Sequence, residues 1–308
     1  MHVLKMMLIT LLFMSSAVNA APQGSPWGKE YFPNTELTDQ SGKKIHFYDD
    51  LIKDKIVLIN FIFTECVDSC SAETANLRKV QKILADRMGK DIFFYSISID
   101  PKRDTPEALT EYAKKFRIDT SSGWSFLTGD KNDIIKLRKS LGLYRAEGKE
   151  NKLSEHTTSI MTGNESTGQW VKRSPFDDPN LLAHQLGRVL SSFSAYHNSS
   201  LKSYDTTKKI PNAINGEDLF RHKCLSCHDS SDDNLGPDLT NIIKTRDLQW
   251  LKDWIKAPDE MIKKKDPLAL QLFENYKILM PNLKMDDSQI NSIIDYLTTR
   301  GKLIEKVK

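Results

Sequence analysis

The stretch Ile56-Val57-Leu58-Ile59-Asn60-Phe61-Ile62-Phe63-Thr64-Glu65-Cys66-Val67-Asp68-Ser69-Cys70 decides the fold of the first half of this chain. Residues 56–63 form a nearly continuous apolar run, the pattern of a strand buried on both faces, and such strands belong to sheets covered by helices. Past Cys70, the residues Leu77, Val80, Leu84 and Met88 recur at helical spacing, so the two cysteines lie where a strand passes into a helix. A second buried strand over 92–99 precedes a helix announced by Thr105 as N-cap and Pro106 at its first position, with Leu109, Tyr112 and Phe116 on one face. Outward from this unit the pattern predicts a hairpin (36–38 and 45–48, around Ser41-Gly42), a strand over 124–127 and a helix over 134–141. A second hairpin over 159–171, turning at Gly163-Asn164, and a closing helix over 180–193 complete an α/β domain spanning 28–193.

Residues 197–212 are polar, rich in Ser, Thr, Lys and Asn, and end near Pro211 without periodicity, which reads as an exposed linker. A helical pattern follows. One helix runs into Cys224, another carries Leu248, Leu251 and Ile255 and stops at Pro258, and a last begins at Asp286 with Gln289 as capping partner and Gly301 at its end. Within it, Cys224-Leu225-Ser226-Cys227-His228 has the spacing by which two thioethers and an imidazole fix a c-type haem. His228 supplies one axial nitrogen; Met280, followed by Pro281, is the expected second ligand, with Met285 as its rival. A His and Met pair raises the potential of the iron and suits electron transfer. The zinc alternative lacks a second cysteine pair to complete a tetrahedron. His222 is expected in solvent. This region, 213–302, resembles class I cytochrome c, a small all-α fold, and the resemblance implies that Pro237, in the loop after the haem motif, orients the His ligand.

The first twenty residues read as a secretory signal: Lys5, an apolar run over 6–13, and small residues before a cleavage point after Ala20. The run is too short to span a bilayer. A soluble, exported, periplasmic protein without a stable membrane span is expected. The formal net charge of +3 on 308 residues, with both signs interspersed, gives no electrostatic footprint for nucleic acid. Of four cysteines, two belong to the haem motif, and Cys66 and Cys70 enclose too short a loop to matter as a staple. Redox or metal chemistry explains that pair better.

A thiolate at a helix start is stabilised by the helix's positive end. Spacing of i and i+4 places both sulfurs on one side of the first helical turn, and two soft thiolates with one imidazole form a site suited to copper. The candidate imidazole is His156, in Ser154-Glu155-His156-Thr157-Thr158. Without it the pair is a plain dithiol. Asp100 and Asp104 read as loop-shaping residues.

Residues 60–66 with Cys70, then 98–106 (Ser-Ile-Asp-Pro-Lys-Arg-Asp-Thr-Pro), then 124–129, then Glu155-His156-Thr157, occur in the order found in the Sco/SenC family, which the region 28–193 resembles. The resemblance implies a thioredoxin-like fold, copper held by Cys66, Cys70 and His156, and service in maturing the copper centre of cytochrome c oxidase. Val67 and Ser71 stand where prolines usually follow each cysteine of the family, and Leu153 and Glu155 replace a tyrosine and an aspartate near the histidine.

The resulting expectation is an exported copper-handling and electron-transfer protein with one covalent haem c and a copper ion, whose partner is the copper-centre subunit of cytochrome c oxidase or another respiratory redox protein. An alternative is a thiol-disulfide oxidoreductase in which Cys66 and Cys70 pass electrons to haem. The opposite direction is uphill by roughly 1.4 kcal/mol per 30 mV. A third reading makes the cytochrome a docking module for a copper carrier.

Overall fold

The computed structural model describes residues 27–66, 69–144, 158–191, 216–228 and 235–305. The expected secretory signal, His156 and the expected linker lie outside them.

The first domain is built on a seven-stranded sheet in the order β2-β1-β5-β4-β3-β6-β7. Its strands are β1 (Glu36–Asp39), β2 (Lys44–His46), β3 (Ile56–Ile62), β4 (Ile92–Ser98), β5 (Trp124–Gly129), β6 (Ile160–Asn164) and β7 (Gln169–Arg173). The centre is parallel, with Asn60 opposite Ser96 across β3 and β4, and Ser96 opposite Phe126 across β4 and β5. Helices α1 (Cys70–Ile83) and α2 (Pro106–Lys115) make the two crossovers between these strands, as parallel neighbours require. Beyond α3 (Lys131–Ser140), β6 runs antiparallel to β3, and α4 (Pro179–His184) packs on α1.

All seven residues of β3 are buried, as the apolar run predicts. Its one polar member is satisfied. Asn60 Nδ2 donates to Glu73 Oε1 on α1 at 2.8 Å, its Oδ1 accepts from Ser96 Oγ at 2.7 Å, and Ser96 Oγ accepts from Trp124 Nε1 at 2.9 Å. This buried chain ties three central strands to α1, and each link left unmade would cost about 1–3 kcal/mol. Thr105 caps α2 through its side chain, accepting from Ala108 N, with Pro106 following.

Three expectations shift. Gly163-Asn164 is not the turn of the second hairpin: both residues end β6, and the chain reverses over Glu165–Thr167 with Gly168 at φ +69°. A Cβ on Gly163 would lie 2.3 Å from the Trp170 ring, so that glycine serves cross-strand packing, while Asn164 caps the turn by accepting from Ser166 N. Residues 47–52 leave the first hairpin as a π-helical turn. The closing helix begins at Pro179, behind its N-cap Asp178, and continues in a wider π-helical turn over Gln185–Val189.

The second domain is helical: α5 (Gly216–Lys223), α6 (Ile242–Thr245), α7 (Leu248–Lys256), α8 (Pro258–Lys263), α9 (Pro267–Tyr276) and α10 (Asp287–Glu305). α5 crosses α10 so closely that a Cβ on Gly216 would lie 1.9 Å from the Ser292 carbonyl oxygen. Phe220, Leu251, Ile255, Ile290, Ile293 and Leu297 fill the core between α5, α7 and α10. The capping box expected at Asp286 is present, with Gln289 N donating to Asp286 Oδ1 at 2.9 Å and Asp286 N to Gln289 Oε1 at 3.1 Å. α10 runs on past Gly301 to Glu305. A lone glycine costs a helix only about 1 kcal/mol, too little to end it. α9 was not foreseen, although Asp266 as N-cap and Pro267 at its first position announce it.

Candidate functional site

Two sites emerge. The first sits at the exit of β3. Cys66 lies in the loop after the strand, its N–H donating to the Phe63 carbonyl at 3.2 Å, and is half-buried. Cys70 opens α1 and is fully buried. The two sulfurs therefore do not share a helical turn as the spacing predicted; the strand-to-helix loop brings them together, and the Cys66 and Cys70 thiols are hydrogen-bonded. That bond to Cys66, together with burial and the nearby Glu73 carboxylate, pushes the Cys70 thiol well above its ordinary value. The positive helix end does not prevail at Cys70. A charge there would be desolvated, and a thiolate on Cys66 would repel it.

A buried carboxylate shapes this loop. Asp104, 1 % exposed, accepts from Thr64 Oγ1 at 2.6 Å, from the Thr64 N–H at 3.2 Å and from the Ser98 hydroxyl. It so clamps the chain two residues before Cys66 to the end of β4. Outside, Arg103 pairs with Glu65 at 2.9 Å and with Asp100. On the inner side, Tyr112 OH bonds Thr74 Oγ1 at 2.8 Å and reaches the Cys70 carbonyl at 3.5 Å. Both aspartates thus shape loops, as expected.

The second site is a largely apolar cavity walled mainly by the helical domain. The turn after α5 is tight: the Cys227 and His228 N–H groups both donate to the Cys224 carbonyl, at 3.1 and 3.0 Å. Cys227, His228 and Met280 line the cavity, whereas Met285 is buried in the apolar core. His228 Nδ1 donates to the Pro237 carbonyl at 2.8 Å. Because a carbonyl only accepts, the bond assigns the proton to Nδ1 and makes Nε2 the ligating nitrogen for an iron. Gly236 lets this happen: a Cβ there would meet the His228 ring at 2.7 Å. An imidazole braced by a carbonyl, a thioether and the Cys227 thiol on a largely apolar cavity, with Cys224 one turn earlier in the same run, form a donor set that fits haem iron and its attachment. Arg246 is the one Lys or Arg among the described residues lining the cavity, and sequence reasoning missed it. His222 is exposed, bonded to the Asp218 carbonyl.

Among the described residues no cluster of three or more His, Cys, Asp and Glu side chains forms a metal site, and no helix is long and apolar enough to cross a membrane. A family model described as SCO1/SenC matches residues 25–191, and one described as Cytochrome c matches residues 213–300.

The chain belongs to the SCO1/SenC family.

Its relatives include a SCO2-like protein of Rickettsia conorii, 43 % identical over 26 % of this chain and 38 % of that one, and a SCO1 protein homolog of Bacillus subtilis, 26 % identical over 58 % and 94 %. The chain spans less than half the length of the Rickettsia relatives it matches. Among solved structures it is similar to a SCO1/SenC family lipoprotein from Bacillus anthracis (29 % identity, 55 % of this chain and 96 % of that one, TM-score 0.45). It is also similar to Bradyrhizobium japonicum ScoI with copper bound (27 %, 50 % and 95 %, TM-score 0.41). In this SCO1/SenC chain the family region carries the thiol pair and the cytochrome region most of the cavity.

Proposed function

We propose that this protein is an exported, periplasmic copper-handling and electron-transfer protein that assists assembly of the copper centre of cytochrome c oxidase. Copper is its cargo, held by Cys66, Cys70 and His156 in the domain over 28–193. The domain over 213–302, joined by a linker over 197–212, would hold one haem c through Cys224 and Cys227, with His228 and Met280 as its iron ligands and Pro237 orienting His228. When bound, the haem supplies a one-electron couple. The observation that carries the reading is the hydrogen-bonded pair Cys66 and Cys70 at the junction of β3 and α1 in a SCO1/SenC chain. Two soft sulfurs already in contact suit copper with little rearrangement, and the names of structural relatives record copper bound to them.

The chain's own residues divide the work. Asp104 and Thr64 fix the loop that presents Cys66; burial keeps Cys70 protonated until a metal or a second sulfur claims it; the Pro237 carbonyl holds His228 in one tautomer. Replacing Cys66 and Cys70 together by alanine should abolish stoichiometric copper binding and leave the haem absorption spectrum intact. Copper retained at full affinity by that variant refutes the site.

The inequality of the two thiols favours a second reading. A more exposed Cys66 and a buried, protonated Cys70 divide as attacking and resolving cysteines do, which suits thiol-disulfide exchange. Haem reduction by an added dithiol that survives a copper chelator yet needs both cysteines would support it.

A further inference from the structure

A helix lying on a sheet normally turns one face to water. In α1 every residue from Cys70 to Arg78 is buried. The sheet covers one side, and the segment after β7 covers another, where Asn76 Nδ2 donates to the Pro175 and Asp177 carbonyls at 2.8 and 2.9 Å. The α2 side covers a third, where Thr74 Oγ1 meets Tyr112 OH at 2.8 Å and Arg78 Nε donates to the Arg117 carbonyl at 3.3 Å, and the cytochrome domain meets part of what remains. Lys79 Nζ donates to the Leu225 carbonyl, inside the Cys-x-x-Cys-His run, at 2.5 Å. Lys223 Nζ stands 5.0 Å above the Phe176 ring. Leu235, 4 % exposed, joins the same apolar cluster as Leu77 and Val80 of α1, with Cys227 and Ile278 packed against it. Ser71, 8 % exposed, lines the cavity that also holds Cys227, His228 and Met280.

We infer that the haem pocket of this protein is composite: Ser71, on the first turn of the dithiol helix, is part of its wall. The inference rests on reading Cys224, Cys227 and His228 as the haem site. Adjacent Cα atoms are about 3.8 Å apart, so the Cys70 sulfur and the cavity wall are separated by a distance on the order of 10 Å. The composite wall also accounts for a departure from the family. Proline is well tolerated in the first turn of a helix, and α1 itself gives no reason to abandon it; a wall position does, since serine brings a hydroxyl to a largely apolar cavity. Polarity and burial around a haem are levers on its potential.

The test uses full-length, haem-loaded protein carrying Cys66→Ser and Cys70→Ser, so that only iron changes oxidation state. Amide resonances are compared between the ferric and ferrous forms. Ser71, Ala72 and Ala75 should shift measurably, as should Trp250, Leu251 and Trp254, which line the cavity from α7. Shifts confined to residues 216–305, with the haem spectrum intact, would overturn the composite pocket; loss of the haem spectrum itself would instead overturn the haem site on which it rests. As a second readout in otherwise native protein, Ser71→Leu should raise the haem midpoint potential, because an apolar wall disfavours the more charged ferric state. Ser121→Leu, on an exposed turn, should not. Equal midpoints for Ser71→Leu and native protein count against the proposal.

Discussion

At the residue scale the chemistry turns on the inequality of Cys66 and Cys70. Burial and the Cys66 thiol hold Cys70 protonated, so iodoacetamide should alkylate Cys66 first in metal-free, reduced protein, and peptide mass spectrometry should find Cys70 largely unmodified until the protein unfolds. The sign of the pH effect follows. Cys70 has its titration raised by folding, so its contribution is fully present below the ordinary thiol value of 9.0 and is lost as pH rises past it, because the unfolded chain then releases a proton that the folded chain keeps. Urea midpoints of the reduced protein should fall above that pH, and Cys70→Ser should flatten the slope. Asp104 belongs to the same scale. Asp104→Ala leaves the half-buried Thr64 and buried Ser98 donors without their acceptor and should cost about 2–4 kcal/mol of unfolding free energy, with weakened copper binding because the loop before Cys66 loses its clamp.

The residue types at both sites were legible in the sequence, since Cys-x-x-x-Cys after a buried strand and Cys-x-x-Cys-His are local patterns. Their electrostatics were not. A helix start predicts a stabilised thiolate, but burial of Cys70 beside Cys66 and Glu73 comes from tertiary packing that no local window contains. Likewise Pro281 favoured Met280 over its rival Met285 in the sequence, but it is the packing before α10 that sends Met285 into the core and leaves Met280 on the cavity.

At the scale of elements, strands and capped helices followed their signals where pattern and packing agreed, as in β3, α2 and the start of α10. Glycine misled twice, for a shared reason: its conformational freedom reads as a turn or an ending, whereas at Gly163 and Gly301 it sits inside an element. Two other glycines set how elements approach. Gly216→Ala forces α5 away from α10, because the added carbon would occupy the place of the Ser292 carbonyl. It should lower the stability of the helical domain by about 1–3 kcal/mol, seen as an earlier haem-linked thermal transition. Gly236→Ala pushes on the His228 ring and should weaken its bond to the Pro237 carbonyl, with the visible spectrum of the haem reporting altered axial ligation at constant haem content.

At the scale of the molecule, two domains and a polar segment between them were legible in the sequence, but not how they meet. Composition cannot reveal a contact made by Lys79 with a carbonyl, or by Leu235 with a core assembled some 150 residues earlier in the chain. The two halves are thereby coupled in stability. Gly216→Ala, although remote from α1, should raise hydrogen exchange along residues 70–78 once the helical domain loosens; unchanged protection there would mean that α1 is guarded by its own domain alone.

The seating of Leu235 bears on biogenesis. On the proposed reading, in which the chain is exported and takes up haem, the amino-terminal half would emerge first, and until the second half closes down the face of α1 that meets it would stand uncovered. Truncated after residue 193, the chain should retain its sheet yet bind hydrophobic dyes and self-associate, so that maturation of the cytochrome becomes the step that makes its neighbour well behaved in solution.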